Sequence, residues 1–179
     1  TDRIGCQADH IFVMESAGKN GTRHCFARKG SLTYDIEFQG QAAHAGFMFE
    51  VENASAVLEM GHYIVELMSL ADREKDTTVN VGIANGGIAR NVVADHAKIS
   101  VEMRFRDDSE RIRLKEYVNK ITEGQPFVPG VKTTITMQKE TPPFIKTEEA
   151  KKYIERVRKI AEEHGIPFEE KDRGGLSDA

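Results

Sequence analysis

The sequence predicts an α+β protein, a ferredoxin-like βαββαβ sandwich with short α/β segments on either side. Three observations carry that expectation. Stretches of alternating hydrophobicity and stretches of helical spacing follow one another as strand, helix, strand, strand, helix, strand, the order of a split βαβ sandwich. Each alternating stretch has one apolar and one polar face, so the sheet should be covered on one side and wet on the other. The segments at the two ends match neither half of this pattern and look like pieces of a second, discontinuous domain.

Residues 29–39 place Leu32, Tyr34, Ile36 and Phe38 on one face and Thr33, Asp35, Glu37 and Gln39 on the other, the period of a half-buried strand. Gly40–Gly46 (GQAAHAG) breaks it. A helix is expected over 52–70, with Ala56, Val57, Met60, Ile64, Leu67 and Met68 at helical spacing and Asn53 as its N-cap,. Residues 77–84 should form a strand with Val79, Val81 and Ile83 on one face, and residues 97–105 another with Ile99, Val101 and Met103 together. Between them runs a glycine-led loop, GGIARNVVADH. Asp107, Asp108 and Ser109 offer caps for a helix over 109–123, with Ile112, Tyr117, Val118 and Ile121 as its apolar side and Gly124 and Pro126 as its stop,. Val131–Met137 alternates again. Outside this core, Ile11–Met14 reads as a short strand buried on both faces,. Thr147 caps a helix over 148–164 whose apolar side is Tyr153, Ile154, Val157, Ile160 and Ala161, and a short strand, PFEEKD, follows. The expected organisation is a flank at 1–28, a sandwich at 29–142 and a second flank at 143–179.

Composition narrows the function. The chain has 39% hydrophobic and 30% charged residues and a net charge of −4. That supports a packed core and speaks against a nucleic-acid partner, which needs a basic surface to neutralise phosphates. The expected strands 77–84 and 97–105 offer only Phe105 as an aromatic platform, which disfavours the RNA-binding use of such a sandwich. No apolar run approaches the ~20 residues of a membrane span, so no membrane association is expected. Cys6 and Cys25 are read as reduced thiols of a cytoplasmic protein, with one bridge between them as the alternative,.

Four places hold residues whose chemistry suggests a site. Glu15 ends the strand Ile11–Met14 and precedes a glycine turn; it is either a metal ligand or acid/base at a sheet's carboxyl edge or a surface turn residue. His44 sits among Ala42, Ala43, Ala45 and Gly46. That small-residue collar lets another group approach the imidazole, which can donate to a developing oxyanion; the alternative is a loop histidine without a role. Asn91 follows the Gly86-Gly87 pair, and Arg104 points away from the face filled by Ile99, Val101 and Met103. Its planar fork suits a carboxylate, or it is a solvated charge on the wet side of the sheet. Arg173–Asp178 (RGGLSD) offers backbone donors in a turn,.

Together these stretches resemble the M20 family of metal-dependent amidohydrolases, the glutamate carboxypeptidase and aminoacylase group. IFVMESA looks like that family's strand ending in a metal-binding glutamate, here Glu15. GQAAHAG is similar to its Gly-x-x-x-His-Ala/Ser-Gly signature, GGIARNVVAD to its Gly-Gly loop with asparagine, VEMRF to its arginine-bearing strand, and RGGLSDA to its Gly-Gly-x-Ser/Thr-Asp-Ala turn. Within the family the resemblance is nearest to carboxypeptidase G2-like glutamate carboxypeptidases.

The resemblance implies a catalytic α/β domain with an inserted ferredoxin-like lid that also forms a homodimer. It implies two zinc ions per active site, a bridging water and a general-base glutamate. His44 would be the lid histidine that reaches the partner's active site and steadies the tetrahedral oxyanion. Asn91 and Arg104 would help bind a substrate carboxylate, Gly174, Gly175 and Ser177 would line the pocket, and Glu15 would be a metal ligand. The substrate would be a small peptide or N-acyl amino acid, cut at an amide beside a free carboxylate. The family's early His-x-Asp, bridging Asp, Glu-Glu pair and late His have no match. One carboxylate cannot build a zinc site of three or four protein ligands. The chain is therefore expected to be a lid and dimerisation fragment, cut from a larger hydrolase, inactive alone and without stably bound zinc. The alternatives are a stand-alone ferredoxin-like regulatory or interaction module and an inactive relative that keeps only dimerisation.

Overall fold

A computed structural model describes residues 23–170 and 172. The expected strand at Ile11–Met14 lies outside them. In chain order the described strands are β1 (Arg23–His24), β2 (Gly30–Gln39), β3 (Ala43–His44), β4 (Thr78–Gly86), β5 (Val92–Val93), β6 (His96–Phe105), β7 (Lys132–Thr141) and β8 (Glu169–Glu170). The helices are α1 (Ala56–Met68), α2 (Asp108–Glu123) and α3 (Glu148–Glu163), with a 3-10 turn at Ala45–Phe47. The chain divides into two compact units, Gly30–Pro142 on the one hand and Thr1–Lys29 with Pro143–Ala179 on the other.

The larger unit is an α+β sandwich. Its sheet has the order β4-β6-β2-β7, every neighbouring pair antiparallel. β2 and β4 are therefore parallel with β6 between them, and β6 and β7 are parallel with β2 between them. Those are the two interleaved split βαβ units that the sequence order implies. Both helices pack on one face. Beneath them Leu32, Ile36, Phe38, Ile99, Met103 and Phe105 are fully buried, joined by Tyr63 and Leu67 of α1 and Leu114 and Val118 of α2. The Phe38 and Tyr63 rings meet edge-on at 5.0 Å, a favoured aromatic geometry. The Tyr63 hydroxyl donates to the Ile121 carbonyl at 2.9 Å, and the Tyr117 hydroxyl donates to Glu66, so the two helices are tied to each other as well as to the sheet.

Several boundaries and faces differ from the sequence expectation. α1 starts at Ala56, and its cap is Ser55, whose hydroxyl accepts from the Leu58 N–H at 3.2 Å. Asn53 instead clasps the preceding loop, its Nδ2 donating to the carbonyls of Met48 (2.6 Å) and Val51 (3.0 Å). In β4 the register slips between Val81 and Ile83. That bulge turns Ile83 to the wet face opposite Ser100, where it is 56% exposed. In α2 the buried side chains are Glu110, Leu114 and Val118. Ile112, about 200° round the helix from Leu114 or Glu110 at ~100° per residue, faces water. β7 runs to Thr141, beyond Met137, because a second register shift at Thr33/Tyr34 carries the pairing past Gln138. In α3 Ile154 and Ala161 are buried while Ile160 is half exposed.

Two carboxylates sit inside the sandwich. Glu59 of α1 is fully buried and accepts from the N–H groups of Phe127 (3.2 Å) and Val128 (2.6 Å), which pins the loop before β7 to the helix. Glu110 accepts from Lys75 (2.8 Å), Thr77 (2.8 Å) and Arg113 (2.7 Å). Arg113 and, more weakly, Lys75 and Thr77 hold its carboxyl down at about 2. Hydrogen-bonded and paired in this way, a buried charge is tolerated.

In the smaller unit β1 pairs in parallel with β8. Phe168 stacks on His24 at 4.6 Å, and the Arg158 guanidinium lies 4.9 Å over the Phe168 ring, a cation–π arrangement. Lys146 pairs with Glu170 and with Asp172 (3.0 Å). No helix among the described residues is long and apolar enough to cross a membrane.

Candidate functional site

His44 stands where two short strands meet at one end of the sandwich. β3 pairs antiparallel with β5, His44 opposite Val92, and the Ala45 N–H donates to the Asn91 carbonyl at 2.9 Å. The structure thus brings His44 and Asn91 to one corner. Further backbone bonds knit that corner to the sandwich, from Gly40 N–H to Asp95 O (2.7 Å) and from Ala56 N–H to Ala94 O (2.8 Å). Gly40 is required by this crossing, since a Cβ there would fall 2.0 Å from the Ala54 carbonyl oxygen. Gly86 has a similar duty, because a Cβ would lie 2.8 Å from that of Ala97 and 2.9 Å from Val57.

The imidazole folds back on its own chain. Gly46 N–H donates to His44 Nδ1 at 3.1 Å, capping the 3-10 turn Ala45–Phe47. An accepting ring nitrogen carries no proton, so this bond assigns the proton of the neutral ring to Nε2. His44 is exposed, and Nε2–H is its remaining ring donor. A preorganised donor of this kind stabilises the developing charge of a tetrahedral intermediate.

Arg104 lies elsewhere. It is on the wet face of β6, opposite Ser31 and Thr78, and donates to Glu102 Oε1 at 2.9 Å. The strand β6 puts His96, beside the His44 corner, and Arg104 some eight residues apart, which is about 27 Å of extended chain. Within one chain the two residues do not converge. On the same wet face Lys98 bridges Asp35 (3.2 Å) and Glu37 (3.1 Å). Hydrogen bonds from Ser100 first, then Lys98, lower the carboxyl of Asp35 below its ordinary range. Glu15, Gly174, Gly175 and Ser177 lie outside the described residues. Among the described residues no group of three or more His, Cys, Asp or Glu is placed to hold a metal ion. The described donors by themselves do not make a metal centre.

Two features escaped the sequence reading. After Gly46 come Phe47, Met48 and Phe49, exposed by 53%, 41% and 96%, on a turn held by bonds from Glu50 N–H and Val51 N–H to the Phe47 carbonyl. Their signal was present: large apolar residues that no helix or strand period claims. The second is the exposure of the outer side of α1: Val57 and Met68, which the helical spacing groups with the apolar side, are exposed together with Leu58 and Val65, beside β4, whose outer edge has no strand partner among the described residues.

A ferredoxin-like α+β domain that presents a histidine donor at one end is the class this fold and corner define. Residues 26–126, more than half of the chain, match the model of the peptidase dimerisation domain, M20_dimer, and the chain belongs to that family. It is 28% identical over 174 residues to the peptidase M20 domain-containing protein of Schizosaccharomyces pombe, covering 87% of this chain and 42% of the relative. With a probable carboxypeptidase of Aspergillus clavatus it shares 32% identity over 121 residues, which is 57% of this chain and 29% of that one. The crystal structure of aminopeptidase PepT from Bacillus cereus superposes with a TM-score of 0.68 at 24% identity, over 92% of this chain and 43% of that one. At that identity the likeness speaks for the fold. The chain spans less than half the length of these relatives.

Proposed function

We propose that this chain is the lid and dimerisation part of a metal-dependent peptidase or amidohydrolase that cuts an amide bond beside a free carboxylate. Membership of the family supports the reaction class. The observation that carries the proposal is His44, whose Nδ1 is occupied by Gly46 N–H, which leaves Nε2–H as the remaining ring donor of an exposed side chain. In the whole enzyme, residues outside this chain would complete the metal centre with Glu15. The bound metal, zinc by resemblance, would supply an activated water.

The work assigned to this chain's own residues is specific. His44 Nε2–H donates to the oxyanion as the carbonyl carbon becomes tetrahedral. Asn91, at the same corner, holds the neighbouring substrate backbone or carboxylate. Arg104, which donates to Glu102, would bind a carboxylate with its guanidinium fork, and Gly174, Gly175 and Ser177 would line the pocket. The chain enters and leaves the sandwich at Gly30 and Pro142, the end of β2 and β7 remote from His44. By the family resemblance, the histidine would serve a second subunit. The exposed side of α1 and the open edge of β4 are the surfaces for the homodimer, which would also cover an unpaired strand. Glutamate as the carboxylate-bearing residue and a cytoplasmic setting remain parts of the same proposal.

The test uses the full-length gene product loaded with zinc, assayed on N-acyl amino acids and folyl-glutamate-type substrates. Turnover is expected, and His44→Ala should lower kcat by about 10²–10³ with a much smaller change in KM. Absence of turnover, or a His44→Ala enzyme as fast as the wild type, contradicts the proposal. The stand-alone module reading has no observation in its favour beyond the completeness of the sandwich.

A further inference from the structure

We propose that Phe47, with Met48 and Phe49, forms the wall that receives the substrate's acyl group, so that the enzyme prefers amides of bulky apolar acyl groups. This rests on the reading of His44 as the oxyanion donor. If Nε2–H is that donor, the scissile carbonyl oxygen sits about 3 Å from it, and the acyl substituent begins one bond from the carbonyl carbon. The Phe47 ring centroid is 5.4 Å from that of His44, tilted by 47°. An aromatic surface therefore lies beside the imidazole that would hold that carbonyl.

The other side of the scissile bond ends in a carboxylate under the same reading. An apolar wall suits the acyl side and not that one, because burying an anion against phenyl rings is costly.

The loop is also built for contact. Phe49 is 96% exposed and Phe47 53%, which a folded chain does not need for its own stability. Yet their backbone is clasped by the bonds from Glu50 and Val51 to the Phe47 carbonyl and by Asn53 Nδ2 to the carbonyls of Met48 and Val51. A backbone already held in place loses little freedom when a ligand covers its side chains. Phenylalanine in particular gives large contact area with few rotatable bonds.

The test compares N-acetyl- and N-benzoyl-glutamate as substrates of the zinc-loaded full-length enzyme and of its Phe47→Ala, Phe47→Leu and Phe49→Ala variants. The wild type should favour the benzoyl substrate. Phe47→Ala should reduce the benzoyl-to-acetyl ratio of kcat/KM at least ~10-fold, the scale of a lost apolar contact in a pocket. Phe47→Leu should recover most of it, and Phe49→Ala, whose side chain no fold contact requires, should reduce it to a smaller extent. Equal losses on both substrates would mean that the loop serves only to place His44, and would overturn the proposal. So would a wild type without preference for the larger acyl group. Failure of the underlying reading looks different, since His44→Ala would then leave turnover unaltered or no substrate would be cut at all.

Discussion

Two regions of the sandwich treat apolar side chains in opposite ways. On the helical face of the sheet, Leu32, Ile36, Phe38, Ile99, Met103 and Phe105 are each 0% exposed. At the His44 corner Phe47, Phe49 and Val51 are at least half in water. Both regions have a defined backbone, held by different means. The first is held by burial, at about 25 cal/mol per Å² of apolar surface. The second is held by backbone hydrogen bonds and the Asn53 clasp. Side chains at the corner are thus released from packing duty, and their chemistry can answer to something outside the domain.

The largest effect that would sharpen this contrast is in the core. Phe38→Ala removes the ring that meets Tyr63 and should cost about 3–5 kcal/mol, read from denaturant midpoints of the 179-residue chain. A loss below ~1 kcal/mol would show that the sandwich is not the stabilising unit.

An intermediate effect belongs to Glu110. Its folded pKa of about 2 lies below the ordinary 4.5, so the unfolded chain takes up its proton first. Its stabilisation is complete above about pH 4.5 and is lost as pH falls towards 2, a decline on the order of 2 kcal/mol. Urea unfolding across that range should show the slope, and Glu110→Gln should flatten it. An unchanged slope in the variant would mean that other carboxylates dominate acid unfolding.

The smallest effect is expected at the corner, where Phe49→Ala should alter stability by no more than ~0.5 kcal/mol. A cost as large as that of Phe38→Ala would abolish the distinction between the two regions.

The parts of this molecule that a periodic pattern describes were legible in the sequence. Strand β2 buries Leu32, Tyr34, Ile36 and Phe38 as its alternation implies, and β6 buries Ile99, Val101 and Met103. What failed was non-periodic or non-local. A bulge at Val81/Ile83 reverses the face of every residue after it, and no composition signal marks it. Glu59 and Glu110 look like surface charges on a helix until their partners are known. Those partners are the backbone of Phe127 and Val128, and residues some thirty-five positions away such as Lys75. Asn53 and Ser55 are both good caps, and only the fold of the loop decides between them. At the candidate site, His44 and Asn91 were picked out from sequence, and the β3–β5 pairing joins them. The aromatic turn beside them was missed because it obeys no secondary-structure period.

In the proposed enzyme, His44 of one subunit would serve the active site of the other. A heterodimer of the full-length, zinc-loaded protein tests it, with Glu15→Ala in one subunit and His44→Ala in the other, purified through two different tags. If the histidine acts across the dimer, one of the two sites keeps both an intact metal centre and an intact donor. The heterodimer should then show roughly half the wild-type activity, while each mutant homodimer is reduced at least ~100-fold. A heterodimer as inactive as the two homodimers would place the histidine and the metal ligand in the same subunit's site and contradict the account.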